Sequence, residues 1–260
     1  MTLVVSLRIA DGVVLSADSL QTTIGTIQPE LKNFKVRSPK TGEIINVPTV
    51  KLPPINIPSS TSSFAQKLFP FKGKYGIAIF GSNILNGRTI YNHIKVLETS
   101  IQEKELTLNE VGERIKEYFE NEVKIQIKSI PAINPDRPIF GLQIVGFKNG
   151  KDITGTTLEY NFGSKTTFNE HKGIGSTVSG DNFIAMKIFE AQRRSPINFG
   201  AFSLQDGIDF CKFLTNTTSD YQRFANMIPT VGGNVDIALI TEYSGFKWIA
   251  AKELTKILES

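Results

Sequence analysis

The chain has 260 residues, with 29 Lys+Arg against 25 Asp+Glu, two histidines and one cysteine; it is long enough for a sizeable core and excludes an intrachain disulfide or a multi-cysteine metal site. His93 and His171 stand alone, with no HExxH and no Cys/His ligand spacing, so zinc chemistry is disfavoured and a Ser-His-Asp triad would have to use one of these two. The net charge of +4 comes from lysines interleaved with acids, not from a basic face, so no nucleic-acid partner is expected. No apolar run reaches membrane-spanning length, and Arg8 interrupts what would be the apolar core of a signal peptide, which points to a cytoplasmic chain without a membrane partner.

Leu3–Ile9 and Val13–Ala17 are β-branched runs joined by Ala10-Asp11-Gly12, a hairpin signal. Residues 20–66 differ in kind. Thr22–Ile27 can be a strand, but Pro29, Pro39, Pro48, Pro53, Pro54 and Pro58 and a serine cluster follow, which predicts an irregular arm with short hairpins, one turning at Thr41-Gly42. Lys67–Phe71, a Lys72-Gly73-Lys74 turn and Tyr75–Phe80 restore a strand pattern that closes at Gly81. Apolar residues at helical spacing predict a helix over about 83–104, and a second begins at a capping box, Thr107-x-x-Glu110, with Leu106 and Val111 placed as a hydrophobic staple.

Phe140–Phe147, a turn at Lys148–Lys151 and Thr154–Phe162 predict another hairpin, and a glycine-bearing loop at Gly173–Gly180 leads into a helix over about 182–193. Ser203-x-x-Asp206 caps a helix over about 204–225. Strands near Val235–Thr241 and Phe246–Ala250 and a short terminal helix close the chain. Segregated runs of strands and helices predict an α+β protein with sheets sandwiched between helical layers. Cys211 and Trp248 read as packing residues, Glu110, Glu113, Glu117 and Glu120 as a solvated helix face, and Gly173-x-Gly lacks the spacing of a dinucleotide fingerprint. No cofactor or metal is expected.

Thr2 is the first candidate for chemistry. Met1 is removed when a small residue follows, and a threonine with a free α-amine, of ordinary pKa near 8, is a nucleophile with its own base, needing no histidine. The alternative is that Thr2 merely begins a strand. The run Thr2-Leu-Val-Val-Ser-Leu-Arg-Ile-Ala-Asp-Gly-Val-Val-Leu-Ser-Ala-Asp18-Ser19 resembles the N-terminus of proteasome β subunits and the bacterial HslV peptidase, the threonine-type N-terminal nucleophile (Ntn) hydrolases. Asp18 stands 16 residues after Thr2, as the family aspartate does. Lys67-Leu-Phe-Pro-Phe-Lys-Gly-Lys-Tyr-Gly-Ile-Ala-Ile-Phe-Gly81 resembles the stretch from the family lysine to its oxyanion glycine, and Thr230-Val-Gly232-Gly233 followed by a strand resembles the family's double glycine.

The resemblance implies a four-layer αββα sandwich, one domain over residues 1–260 with a Pro/Ser-rich insertion at about 20–66, and a peptidase forming an acyl-enzyme on Thr2. It implies that Lys67 lowers the pKa of the hydroxyl and the amine, that Asp18 orients Lys67, that the Gly81 N–H holds the oxyanion and that Ile79 shapes an apolar first pocket. Lys32, Lys35 and Lys51 also follow Asp18; Lys35 is nearest the family's distance, and Lys67 is preferred because its interval to Gly81 and the strand between them match together. Ser179 corresponds to the family serine, with Gly175-Ser176 as another register. The chain departs where the family has an aspartate and a serine before the double glycine, reading Ile228 and Val231, with Thr230 or Asp181 left to compensate. As partners, the resemblance implies further copies in a homo-oligomeric ring or open helical stack, a peptide or amide substrate, and for protein substrates an unfolding ATPase. The runners-up are a catalytically weak or inactive scaffold subunit of the same fold and an Ntn amidase for a small substrate.

Overall fold

Two runs of alternating apolar residues meet at a tight turn to start the structure: β1 (Leu3–Ile9) pairs antiparallel with β2 (Gly12–Asp18), Ile9 opposite Gly12. The computed structural model describes residues 2–102, 105–129, 138–148, 154–191 and 195–252. Every residue of β1 and β2 is buried, because both faces of this hairpin are covered.

Residues 22–61 form a separate compact unit. It holds two two-stranded sheets, β3 (Gln21–Ile27) with β6 (Ile55–Ser62) and β4 (Glu30–Arg37) with β5 (Ile44–Lys51). The expected turn at Thr41-Gly42 is present, Gly42 at φ +72. The segment is more regular than its prolines predict. In a two-stranded sheet every strand is an edge, so Pro48 in β5 and Pro58 in β6 are accommodated.

The rest of the chain forms the other unit. After Lys67, β7 (Leu68–Phe71) and β8 (Tyr75–Gly81) pair across the expected turn. The helix expected from residue 83 starts later. Ile84 and Leu85 form β9, which turns at Asn86-Gly87 into β10 (Arg88–Thr89), and α1 runs over Ile90–Ser100 from an N-cap at Thr89. Asn86 and Gly87 have φ of +48 and +75, the backbone of a tight hairpin turn. Ile84 and Leu85 fit a helical period by coincidence. Helix α2 (Leu108–Ser129) has its capping box, Thr107 N–H donating to Glu110 and Glu110 N–H to Thr107 Oγ1, and Leu106 packs against the cluster that contains Val111.

Strands β11 (Phe140–Gly146) and β12 (Thr156–Phe162) form the second hairpin; part of its turn, residues 149–153, lies outside the described residues. Then come β13 (Thr167–Lys172) and β14 (Gly175–Gly180). Gly173–Gly180 is therefore mostly strand, not loop, since β1 supplies a partner that local glycine-rich sequence does not announce. Helix α3 (Phe183–Ala191), whose expected end at 192–193 is not described, and α4 (Leu204–Phe224), with a complete Ser203/Asp206 capping box, precede β15 (Val235–Thr241) and β16 (Gly245–Ala250). The expected terminal helix falls within 253–260, outside the described residues.

These strands make two antiparallel five-stranded sheets, ordered β14-β1-β2-β15-β16 and β13-β12-β11-β8-β7. Leu3, Val5, Leu7 and Ile9 turn to α3 and α4, while Val4, Val13 and Leu15 meet Leu68, Ala78 and Val145 of the other sheet. The far face of that second sheet carries α1 and α2. Period-two alternation thus sends one half of each strand to helices and the other to the facing sheet. At one edge the sheet-to-sheet interior is polar. Arg8, 4% exposed, donates from Nε to the Gly173 carbonyl and from Nη1 to the hydroxyls of Thr157 and Thr177, and loss of hydration pushes its guanidinium down to about 10.

No described helix is long and apolar enough to cross a membrane. Phe119 of α2 is fully buried, 5.1 Å and 5.5 Å by ring centroid from Phe140 and Phe162. Phe119→Ala is expected to destabilise the fold by about 3–5 kcal/mol, read as a lower denaturation midpoint at unchanged slope. Cys211 sits on the buried face of α4, where burial pushes its thiol up to about 12. Native protein at pH 8 should resist alkylation and react stoichiometrically only after unfolding, as measured by intact mass.

Candidate active site

Pairing of β1 with β2 brings the start of the chain to the end of the second strand. The Leu3 N–H, one peptide beyond Thr2, donates to Asp18 Oδ1 at 3.1 Å. Asp18 Oδ2 accepts the N–H groups of Leu20 at 3.1 Å and Gly232 at 3.0 Å. Lys67, just before β7, places Nζ 3.1 Å and 3.2 Å from the two carboxylate oxygens and donates also to the Leu20 carbonyl. Thr2, Asp18 and Lys67 are 2%, 0% and 3% exposed. Of the lysines that follow Asp18, Lys67 is its ion-pair partner, and Lys35 lies in β4 of the other unit.

Burial is the strongest influence on both members of the pair. It drives the Asp18 carboxyl above the ordinary carboxylate range and the Lys67 ammonium below the ordinary lysine range. Their mutual attraction opposes this on both sides, and the N–H donors of Gly232 and Leu3 further favour the carboxylate. Burial thus loosens the hold of the Lys67 ammonium on its proton.

A second buried pair adjoins the first. Asp236, opposite Ala17 in β15, takes the Lys252 ammonium on Oδ2 and the Lys252 N–H on Oδ1 at 3.0 Å, with side chains 2% and 5% exposed. The charge of Lys252 works against the Lys67 ammonium and that of Asp236 works for it. Sequence reading passed over this pair, although an acid inside the apolar run Val235–Thr241 is a visible exception.

On the other side of β1, Leu3 pairs with Gly180 and Val4 with Ser179. The Asp181 N–H donates to the Thr2 carbonyl at 2.8 Å. A Cβ at Gly180 would lie 1.8 Å from that carbonyl oxygen, so only glycine permits the approach. The Asp181 carboxylate accepts the Thr230 hydroxyl and, at 2.8 Å, Gln222 Nε2, while Gln222 Oε1 accepts the N–H groups of Thr230 and Val231 at 2.8 Å and 3.0 Å. Asp181 and Thr230 therefore bond each other, joined by a glutamine of α4 that the sequence did not single out. Ile228 and Val231 add no polar side chain, and Val231 is buried on the helix side.

Ser179 is placed differently. Its hydroxyl donates to Glu159 Oε1 and accepts from Gln143 Nε2 at 2.7 Å, and His171 Nε2 stands 3.3 Å from Glu159 Oε2. The order serine–carboxylate–imidazole is not a catalytic triad, because the hydroxyl meets the acid and not the base. His93 bonds the Tyr118 hydroxyl and the Leu85 carbonyl. Among the described residues no three His, Cys, Asp or Glu side chains converge as metal ligands.

Gly81 ends β8 at φ +88, where a Cβ would lie 2.8 Å from Phe140 Cα. It lines a cleft of about 380 Å³ together with Phe80, Phe140, Glu159, Ser179 and Gly180. Gly180 links this cleft to Thr2. Ile79 is buried in the cluster formed with α1 and α2 and is not among the residues lining the cleft.

The buried pair makes a stability prediction. Lys67→Met leaves the Asp18 charge buried without its counter-ion and should cost about 3–5 kcal/mol, whereas Lys67→Met with Asp18→Asn should recover a large part of that loss; both are measured by chemical denaturation. No protein-family model matches the chain, and no curated protein matches it in sequence.

Proposed function

We propose that the chain is a threonine-type Ntn hydrolase of the proteasome and HslV kind, cleaving peptide or amide bonds through an acyl-enzyme on Thr2 once the residue before it has been removed. The observation that carries this reading is the buried Asp18–Lys67 pair tied to the Leu3 N–H, one peptide beyond Thr2. Two face-to-face sheets flanked by helical pairs agree with the αββα sandwich of that family. On this reading Thr2 Oγ1 attacks the carbonyl carbon and its proton passes to the freed α-amine, then to the departing amine. The Gly81 N–H stabilises the oxyanion, an effect worth about 3–4 kcal/mol per donor. Asp181, Thr230 and Gln222 take the place of the family's supporting aspartate and serine. No cofactor enters. On the same reading the protein works in the cytoplasm as a homo-oligomer that encloses its sites, with an unfolding ATPase as partner for protein substrates.

A catalytically weak subunit of the same fold is the second reading. It is favoured by one observation, that the Ser179 hydroxyl is committed to Glu159.

Intact mass before and after treatment with a peptide epoxyketone, a probe that needs both the hydroxyl and the free amine, separates the two. The expected result is loss of the preceding residue and one adduct on Thr2. Lys67→Ala should slow labelling by about 10²–10⁴-fold, and Lys35→Ala should leave it unchanged. Labelling that depends on Lys35 and not on Lys67 defeats the assignment. Absence of any adduct on protein with a free Thr2 amine favours the weak subunit.

A further inference from the structure

The cleft beside Gly81 has an uneven lining. Phe80 and Pro138 give it an apolar wall, while the Phe140 ring packs into the cluster under the helices, and the only ionisable side chain among its described lining residues is Glu159. The other polar side chains there, Asn161, Ser179 and Asn182, are neutral. Glu159 is fixed in place. Ser179 donates to one carboxylate oxygen, Gln143 holds Ser179 at 2.7 Å, and His171, which does not line the cleft, stands 3.3 Å from the other oxygen. The Glu159 side chain is 14% exposed, so its charge acts with little screening by water.

A carboxylate beside an apolar wall suits one kind of side chain: a long apolar stem ending in a cation. The stem lies along Phe80 and Pro138, the cation meets the Glu159 carboxylate, and an acidic side chain is repelled. We propose that Glu159 makes this cleft the subsite for a lysine or arginine side chain, so that the enzyme prefers to cleave after a basic residue. This inference rests on the hydrolase reading and replaces the apolar preference expected from Ile79, which faces the helices.

The test uses three peptide epoxyketones that differ only at the residue bearing the electrophile: arginine, norleucine or glutamate. On the full chain the arginine probe should label Thr2 about tenfold faster than the norleucine probe, and the glutamate probe should be slowest. Glu159→Gln keeps an oxygen to accept the Ser179 hydroxyl. It should bring the arginine and norleucine rates to within about twofold of each other, the ratio of the two rates within the variant being the readout. Norleucine labelling as fast as arginine labelling in the native protein, or an arginine preference that survives Glu159→Gln, overturns the proposal. If no probe labels Thr2, the hydrolase reading fails and the subsite is judged by binding alone. Nα-acetyl-arginine methylamide is then titrated calorimetrically into full-length Thr2→Ala protein. Saturable binding that Glu159→Gln removes supports the subsite, and absence of binding overturns it.

Discussion

Asp18 and Lys67 impose the strictest condition on this structure. Two opposite charges removed from water are tolerable only when every oxygen and proton of the pair finds a partner. The partners come from all over the chain: Leu3 on β1, Leu20 after β2, and Gly232 before β15. The central three strands of the first sheet, β1, β2 and β15, have to stand in register for those groups to converge. A slip of one residue would exchange helix-facing and sheet-facing side chains and also strip the carboxylate of its N–H donors.

The space between the sheets is accordingly divided. Around Val4, Leu15, Leu68 and Val145 it is apolar. Toward β13 and β14 it becomes a chain of polar contacts that includes Arg8, Thr157, Thr177, Gln143 and Ser179 and ends at Glu159. Arg8 has neutral oxygens as its recorded partners. An apolar interior holds two sheets together without fixing their sliding position, whereas hydrogen bonds such as Ser6 to Thr157 at 2.9 Å fix it directionally. The cleft wall inherits its precision from that polar edge.

What could be read from the residues alone follows the range of the interactions. Hairpins and capping boxes are encoded within a few positions, so the β1–β2 turn, Thr107/Glu110 and Ser203/Asp206 are legible. The start of α1 was misplaced because Ile84 and Leu85 fit two periods at once, and the Asn86-Gly87 turn decides between them. The β14 strand was hidden because a glycine-rich segment has little strand propensity and its partner β1 is far away in sequence. In the site, Asp18 and Lys67 could be singled out through the family resemblance, by the interval from Lys67 to Gly81 and the strand between them. Gln222, Glu159 and the Asp236–Lys252 pair could not, since each acts through a neighbour that only the folded chain supplies.

The sheet order also governs when the chain can become whole during synthesis. Strand β1 leads the sequence yet occupies an interior position, with β2 on one side and β14 on the other. Gly232, which completes the shell of Asp18, is 214 residues away from it. Closing contacts over such separations is slow, and domains emerge from the ribosome from their N-terminal end. The first strand therefore waits, half-paired, until β14 has been made, and the charge pair finds its full set of partners only once Gly232 has followed. An incomplete or misfolded chain has no assembled site, so whatever Thr2 does is reserved for molecules that have finished folding.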